Sequence, residues 1–411
     1  MSKIYLSWGM GIESNAILTR WLTDPTSRNF SLEDLTVITA QTGDEHIDTK
    51  TYCETHILPL LRRNNVRLVQ VARAGRLEED GIEVLDDSLH PDTLYIDGAY
   101  KLSDELLFAG TVPQFAGVHK CALKFKAFVL DEWLAQENPG PYRHAFGFNA
   151  DETRRVHRSE YSLNKRIAFG FNSDEHKRIN RANGYSSLSR TSFYPLVEWK
   201  WNRETCSNYL QQMFGVPSRR SACVQCPFVN LTADAIDRLR NEPHKVARAL
   251  LIEYTSLCLN HRSSLYKNRS LMSVLRAHNN TAAINAFQDL LTRTPMATYR
   301  VRRIMTSKGH GHRCTQRIDE ATLDELLYTK GLTAVVSHPA DYAIRVGFAI
   351  ERELEIFPTR EEFYVAAPTT IASRARYGIP WFETKWTEAA QTHYFDSASP
   401  NHFPFDHLTL A

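Results

Sequence analysis

No apolar run in this 411-residue chain approaches the roughly 20 residues that a membrane-spanning helix needs, so no membrane partner is expected. No secretory leader stands ahead of the first predicted strand, and the expected location is the cytoplasm. A dominant charge of one sign is missing as well. Lys and Arg total 49 against 47 Asp and Glu, a formal net charge of +2, so any nucleic-acid surface must be local. Cysteine is sparse and odd in number, seven in all, which argues for free thiols or metal ligands rather than a disulfide scaffold. What remains, 43% hydrophobic and 23% charged residues, is an ordinary globular composition, long enough for two or three domains.

The most informative stretch is the first fourteen residues. Lys3 to Ser7 reads as a short strand and Gly9 and Gly11 as a tight turn. A helix is expected from Ser14, with Ile17, Leu18, Trp21 and Leu22 on one apolar stripe. A helix start leaves its first N–H groups without intrahelical partners, and glycines let an anion come close to them. The turn lacks the Gly-Lys-Ser/Thr of a Walker A loop, and no glycine stands at Ser14 to complete G-x-G-x-x-G. Strands are predicted next at Leu35 to Gln41 and at 66–71, with a helix at 48–64 between them. This alternation points to a parallel sheet of βαβ units. Ligands of such sheets sit beyond the carboxyl ends of the strands, which puts residues 7–14 and 41–45 on one edge.

Residues 73–118 are irregular and rich in Gly and Asp, and are expected to form an insertion or flap. A helix at 122–135 and a strand at 144–148 follow. Gly147-Phe-Asn-Ala-Asp-Glu-Thr-Arg-Arg155 recurs 23 residues later as Gly170-Phe-Asn-Ser-Asp-Glu-His-Lys-Arg178, in two copies only, so this is no solenoid. Residues 203–291 read as mostly helical. The character changes to alternating strands after Pro295, with a boundary placed at 292–297. Between Tyr299 and Arg317 stand Arg300, Arg302, Arg303, Lys308, Arg313 and Arg317 with no acid among them, a stripe that suits either nucleic acid or one solvated strand face.

Several constellations carry chemistry. The second loop is Gln41-Thr42-Gly43-Asp44-Glu45, followed by Asp48 and Thr49 as candidate helix caps. Lys120-Cys121-Ala-Leu-Lys124-Phe-Lys126 places cations beside a thiol. Asp151, Glu152, Arg154 and Arg155 combine acids suited to Mg²⁺ with guanidinium forks suited to phosphate, or form an exposed charged helix start. Cys223-x-x-Cys226-Pro227 is half of a metal site. Cys206, on an apolar face with Leu210 and Met213, is by itself a small buried hydrophobe. Cys53 and Cys258 are expected in the core, and His310, His312 and Cys314 lack a fourth ligand nearby.

Taken in order, these elements resemble the PP-loop ATP pyrophosphatase and PAPS-reductase-like superfamily of adenine nucleotide α-hydrolases, in its phage and DNA-phosphorothioation type. Gly9-Met10-Gly11-Ile12-Glu13-Ser14 stands for the PP-loop, with Ser7 and Trp8 ahead of it and Glu13 in place of the usual aspartate. Thr42, Gly43, Glu45 and Thr49 match the second loop, where Gln41 replaces an aspartate. Pro195-Leu-Val-Glu-Trp199 and Arg269-Ser-Leu271 match later segments, so the resemblance covers about residues 1–280.

The resemblance implies an α/β fold. A parallel-sheet nucleotide α-hydrolase (HUP-like) domain over 1–200 would be followed by a helical, cysteine-containing segment over 201–292. A small α+β C-terminal domain of unassigned role would occupy 297–411. It implies ATP or a related adenine nucleotide with Mg²⁺, bound by Ser7 to Ser14, Ala40, Gln41, Thr42, Gly43, Glu45, Lys120, Lys124, Gly147, Asp151 and Glu152. Ser14, Lys124, Arg154 and Arg155 would act on the phosphates, with release of pyrophosphate to an acceptor that the sequence does not name. Four thiols, Cys121, Cys206, Cys223 and Cys226, would hold Zn²⁺ or a [4Fe–4S] cluster, serving sulfur transfer or structure. PAPS or APS reductase proper is the weaker implication, since no cysteine follows Cys314 to act from a tail. Two further alternatives stay open. One is a nucleotide-binding accessory protein without catalysis, of phage-defence or type IV CRISPR type. The other is an enzyme that modifies nucleic acid presented by residues 297–411.

Overall fold

In the computed structural model the described residues are 3–113, 120–137, 140–151, 190–260, 263–267, 269–307, 310–319, 321–322, 325, 336–338, 343–345, 359–375 and 377–391. Contacts divide the chain into two units, 1–102 with 116–224, and 103–115 with 225–411. Among the described residues no helix is long and apolar enough to cross a membrane.

The first unit is an α/β layer structure. Its sheet holds β1 (Lys3–Ser7), β2 (Leu35–Gln41), β3 (Arg67–Arg73), β4 (Ile82–Ser88), β5 (Tyr142–Ala145) and β6 (Arg190–Phe193) in the order β4-β3-β2-β1-β5-β6. All neighbours are parallel except β3 and β4, which run antiparallel with a bulge at Gln70/Val71. Every residue of β2 is buried, as expected of a central strand covered on both faces. Strand alternation divides the core. Ile4, Leu6, Val37 and Leu68 face α1 (Ile12–Thr23), where Ala16, Ile17 and Trp21 meet them. Tyr5, Ile38, Val69 and Val71 face the other way, onto Val129, Trp133 and Leu134 of the helix Phe128–Glu137. From β1 the chain builds outward to β3, then returns to add β5 on the other side of β1. The crevice at that reversal, between the carboxyl ends of β1 and β5, is where a doubly wound sheet binds its ligand.

Two expected helices contain a wider turn. The first runs Ile47–Tyr52, widens to a π-type turn at Cys53–Ile57 and continues over Leu58–Arg63. Pro59 has no N–H, and its ring would collide with the carbonyl four residues back. The wide turn, in which the Leu58 N–H donates to the Cys53 carbonyl, relieves this. The second runs from Lys120 to Glu137 and widens at Leu123–Ala127, the stretch that carries Lys124 and Lys126.

The expected flap at 73–118 is instead partly regular. Residues 82–88 pair with β3 as the antiparallel edge strand, and Leu102–Ala109 is a helix. The polar run Asp86-Asp87 disguises the strand, because an edge strand with one wet face carries charges that a central strand would not.

In the second unit, helices Ala233–Asn241, Pro243–Leu259, Leu271–Ala277 and Thr281–Arg293 precede an antiparallel sheet. That sheet has the order β11 (Thr359–Pro368), β7 (Met296–Ser307), β8 (His310–Arg317), β12 (Arg374–Ala375). β9 (Val336–His338) and β10 (Ala343–Arg345) pair separately, and the helix Ile379–Gln391 packs Phe382 on Ile304 and Cys314. Glu253, wholly buried, organises the helical part. Its Oε1 accepts the N–H groups of Leu265 at 2.7 Å and Leu271 at 2.8 Å, and its Oε2 that of Met272 at 3.3 Å. The Arg-Ser-Leu segment is thus a helix start, capped by Ser270 Oγ accepting the Ser273 N–H at 3.0 Å.

Three arginines of the basic stripe are engaged within this unit. Arg300 pairs with Glu362 at 2.7 Å, and Arg302 is buried against Glu383, Phe382 and Trp386. Arg313 donates to the carbonyls of Ala109 at 2.7 Å and Gly110 at 3.0 Å, at the end of the helix Leu102–Ala109. Lys308 lies outside the described residues.

Replacing Glu253 with Ala would leave three buried N–H groups without an acceptor. At about 1–3 kcal/mol for an unsatisfied buried group, a loss of about 3 kcal/mol of stability is expected by urea unfolding. A loss under about 0.5 kcal/mol, the scale of a surface substitution, would contradict this role.

Candidate functional site

The site is built on the turn after β1. The Trp8 N–H continues the ladder to the Ile38 carbonyl at 2.8 Å, and the chain then leaves the sheet. Met10 sits at φ 60°, the left-handed region that a non-glycine residue rarely adopts. Asn15 fixes that turn from inside α1. Its Oδ1 accepts from Trp8 Nε1 at 2.7 Å and its Nδ2 donates to the Met10 carbonyl at 3.2 Å, both buried. Gly11 caps α1 without a side-chain bond, and the first intrahelical bond is Asn15 N–H to Gly11 O at 2.9 Å. The N–H groups of residues 12–14 therefore open the helix with its positive end exposed to the crevice. Ser14 is buried, and its hydroxyl donates to the Gly11 carbonyl at 3.2 Å.

Three other segments close on this turn. From β5, the His144 ring nitrogen Nε2 lies 2.8 Å from Ser7 Oγ, across the reversal between β1 and β5. Gly147 follows, so near α1 that a Cβ there would stand 3.4 Å from the Ser14 nitrogen. From β2, the wholly buried Gln41 sends its amide nitrogen toward Met10 Sδ at 3.7 Å. Its amide oxygen has no hydrogen-bond partner among the described residues.

The third segment arrives from more than two hundred residues away. Ser221 Oγ donates to the Gly9 carbonyl at 2.7 Å. Ala222 O accepts from His46 N at 3.2 Å, Val224 N donates to Asp44 O at 3.0 Å, and Glu45 and Cys223 form an antiparallel bridge. Residues 221–224 are thus a short strap laid along the second loop and tied to the first. Gly11 gives it room, because a Cβ there would stand 3.2 Å from Ser221 Oγ. Gly43, at φ +83°, lies where a Cβ would meet Lys101 at 2.5 Å, and the Leu102 N–H braces the same loop at the Thr42 carbonyl.

Cys223 carries the chemistry of the strap. Its Sγ lies 3.1 Å from Thr42 Oγ1. Removal from solvent pushes the thiol well above its ordinary range. Glu45 and Asp44 add to this, while Lys126 and the Thr42 contact pull the other way. Burial likewise pushes Cys206 up to about 12. Cys206 packs wholly buried in the core with Leu210, Trp21 and Leu196, whereas Met213, expected on the same face, is exposed. Cys53 and Cys258 are core residues, as the sequence suggests.

Of the expected residues, Ser7 to Ser14, Ala40 to Gly43, Glu45 and Gly147 stand on these loops. Lys120 is exposed at the start of its helix and Lys124 half-buried in the widened turn. Asp151 N–H bonds Asn149 Oδ1 at 3.0 Å, an Asx turn. Glu152, Arg154, Arg155 and the second Gly-Phe-Asn-Ser-Asp-Glu copy lie outside the described residues. Among the described residues no three His, Cys, Asp or Glu side chains form a group able to hold a metal ion, and Cys206 sits in apolar packing.

Sequence reasoning misses Asn15 and His144, whereas Lys126 belongs to the cation run beside Cys121 and Ser221 stands two residues ahead of Cys223. The roles of Asn15 and His144 depend on which backbone they meet in three dimensions. No protein-family model matches the chain, and no curated protein matches it.

Because burial pushes its thiol up, Cys223 should react with iodoacetamide more slowly at pH 8 than a free, unperturbed thiol. The rate should climb above pH 9, and Lys126→Ala should slow it further. Mass-spectrometric labelling that found Cys223 as fast as a free thiol at pH 8 would contradict this.

Proposed function

We propose that this chain is a PP-loop ATP pyrophosphatase-type enzyme of the adenine nucleotide α-hydrolase class. It would bind ATP or a related adenine nucleotide with Mg²⁺ and cleave it at the α-phosphorus. One observation carries the reading. Ser221 and Cys223 are tied to Gly9 and Thr42, so three sequence-distant motifs of the resemblance converge beside the reversal between β1 and β5. A chance set of turns would have no reason to assemble at the ligand crevice of a doubly wound sheet.

The chemistry follows from the parts. The N–H groups of residues 12–14 and the Ser14 hydroxyl would receive the β- and γ-phosphates. An acceptor oxygen attacks the α-phosphorus and the α–β bridging P–O bond breaks. Pyrophosphate then leaves with the electron pair, its growing charge met by those fixed donors and by Lys124. The wholly buried Gln41 and Ala40 at the end of β2 would flank the base. Arg154 and Arg155 remain expected phosphate ligands. Mg²⁺ arrives with the nucleotide. No step is assigned to a metal at the cysteines, and nucleic acid at 297–411 is not part of the proposal, since Arg300, Arg302 and Arg313 serve internal partners.

A second reading, a nucleotide-binding accessory protein without catalysis, is favoured by one specific feature. Glu13, at the aspartate position of the PP-loop, is held by Arg203 at 2.5 Å.

Incubation with α-labelled ATP and Mg²⁺ separates the two. Release of AMP and pyrophosphate, lost in Ser14→Ala and reduced at least about a hundredfold in Lys124→Ala, is the expected result, on the scale of removing one transition-state donor. Intact ATP after long incubation, with binding retained, would overturn catalysis and leave the accessory reading.

A further inference from the structure

The strands β1 and β5 separate at one residue. Their ladder runs Lys3↔Tyr142, Ile4↔Arg143, Tyr5↔His144 and Leu6↔Ala145. Among the described residues each strand then keeps only its outer neighbour. Ser7 stays in register with Ile38 of β2, and the Trp8 N–H donates to the Ile38 carbonyl at 2.8 Å. On the other side the Phe146 N–H donates to the Phe193 carbonyl of β6 at 3.3 Å. The crevice of the strand-order reversal therefore begins at Ser7.

One side-chain pair spans that opening. Ser7 Oγ lies 2.8 Å from His144 Nε2. The ladder already joins the two strands, so this bond is not needed to hold them together. Ser7 shares a sheet face with Tyr5, two residues back, and the rest of that face is apolar, with Ile38, Val69 and Val71. The two members of the pair differ in access. Ser7 is half-buried, whereas His144 is 2% exposed and its ring lies against that of Phe146, centroids 4.3 Å apart. A partly exposed hydroxyl backed by a shielded imidazole within hydrogen-bond reach is the arrangement of a nucleophile and its base. The turn at residues 8–14 follows Ser7 directly.

We propose that Ser7 Oγ is the oxygen that attacks the α-phosphorus, with His144 as its base, so that the chain carries an adenylyl group on Ser7 during turnover. The inference rests on the nucleotide reading and names the acceptor which that reading leaves open. In the first step the Oγ–P bond forms and the α–β bridging P–O bond breaks. Pyrophosphate leaves with the electron pair, and the Ser7 proton passes to Nε2 of a neutral imidazole. In the second step water attacks the same phosphorus and the Oγ–P bond breaks. Ser7 recovers its proton from His144, the water proton passes to solvent, and AMP leaves.

A hydrogen bond that only stiffens the crevice would behave differently, because water would then attack directly and no covalent species would form. The full chain is mixed with Mg²⁺ and ATP labelled at the α- or the γ-phosphate and quenched in acid at short times. Label from the α- but not the γ-position should stay with the denatured protein, and peptide mass spectrometry should place it on Ser7. Ser7→Ala should lose the label, and His144→Gln should slow its appearance at least about a hundredfold. Stereochemistry reads the same step without requiring the species to accumulate. Thio-AMP made from chiral α-thio-ATP in isotopically labelled water should retain configuration, since two inversions cancel. Inverted configuration, label on another residue, or unaltered AMP formation in Ser7→Ala would overturn the role of Ser7 while leaving the nucleotide reading in place. ATP that is bound but never split would overturn this inference together with catalysis. A chain that binds no ATP would remove the nucleotide reading as well.

Discussion

The hydrogen bond from Ser221 to the Gly9 carbonyl is the contact on which the site depends. Gly9 belongs to the first turn of the sheet and Ser221 to the last segment of the same unit, so this bond closes the unit on itself. With the ladder-like contacts of residues 222–224 to residues 44–46, it fixes two neighbouring strand ends against one strap. The left-handed Met10, the uncapped Gly11 and the open helix start would be costly conformations in a free loop. Here the strap holds them from outside and the two Asn15 bonds hold them from inside.

Under the proposed nucleotide reading, preorganisation is the functional consequence. An anion cradle made of backbone donors works only if the donors are already aimed, because reorganisation at the moment of reaction would consume the stabilisation they supply. Each flanking residue of the turn has a structural duty that keeps it in place. Trp8 is tied to β2 and Asn15, Gly11 makes room for Ser221, and Ser14 touches Gly147. The turn stands at the reversal of strand order between β1 and β5, the place where doubly wound sheets bind ligands.

The sheet was legible because its strands carry strong local signals. Leu35 to Gln41 is apolar throughout, and it is buried throughout. The βαβ pattern puts residues 7–14 and 41–45 on one sheet edge, and there Ser221 and Cys223, which that pattern does not place, tie Gly9 and Thr42 to one strap. Three features were hidden, each for a physical reason. The edge strand Ile82–Ser88 presents acids to water and so lacks a core pattern. The widened turns at Cys53–Ile57 and Leu123–Ala127 leave helical periodicity nearly intact. Arginines 300, 302 and 313 read as a free basic stripe, because their partners Glu362, Glu383 and the carbonyls at 109 and 110 lie far away in sequence. Of the cysteines, Cys206 holds an apolar core position and Cys223 a strap position, a difference that their spacing in sequence does not express.

The central claim is that the turn at residues 8–14 holds the phosphates of a nucleotide between β1 and β5. A crystal structure of the chain soaked with Mg²⁺ and a non-hydrolysable ATP analogue tests it most directly. The account predicts phosphate density within hydrogen-bond distance of the N–H groups of residues 12–14, with Ser221 still bonded to Gly9. Nucleotide density elsewhere on the chain, with that turn holding no phosphate at saturating ligand, would contradict it.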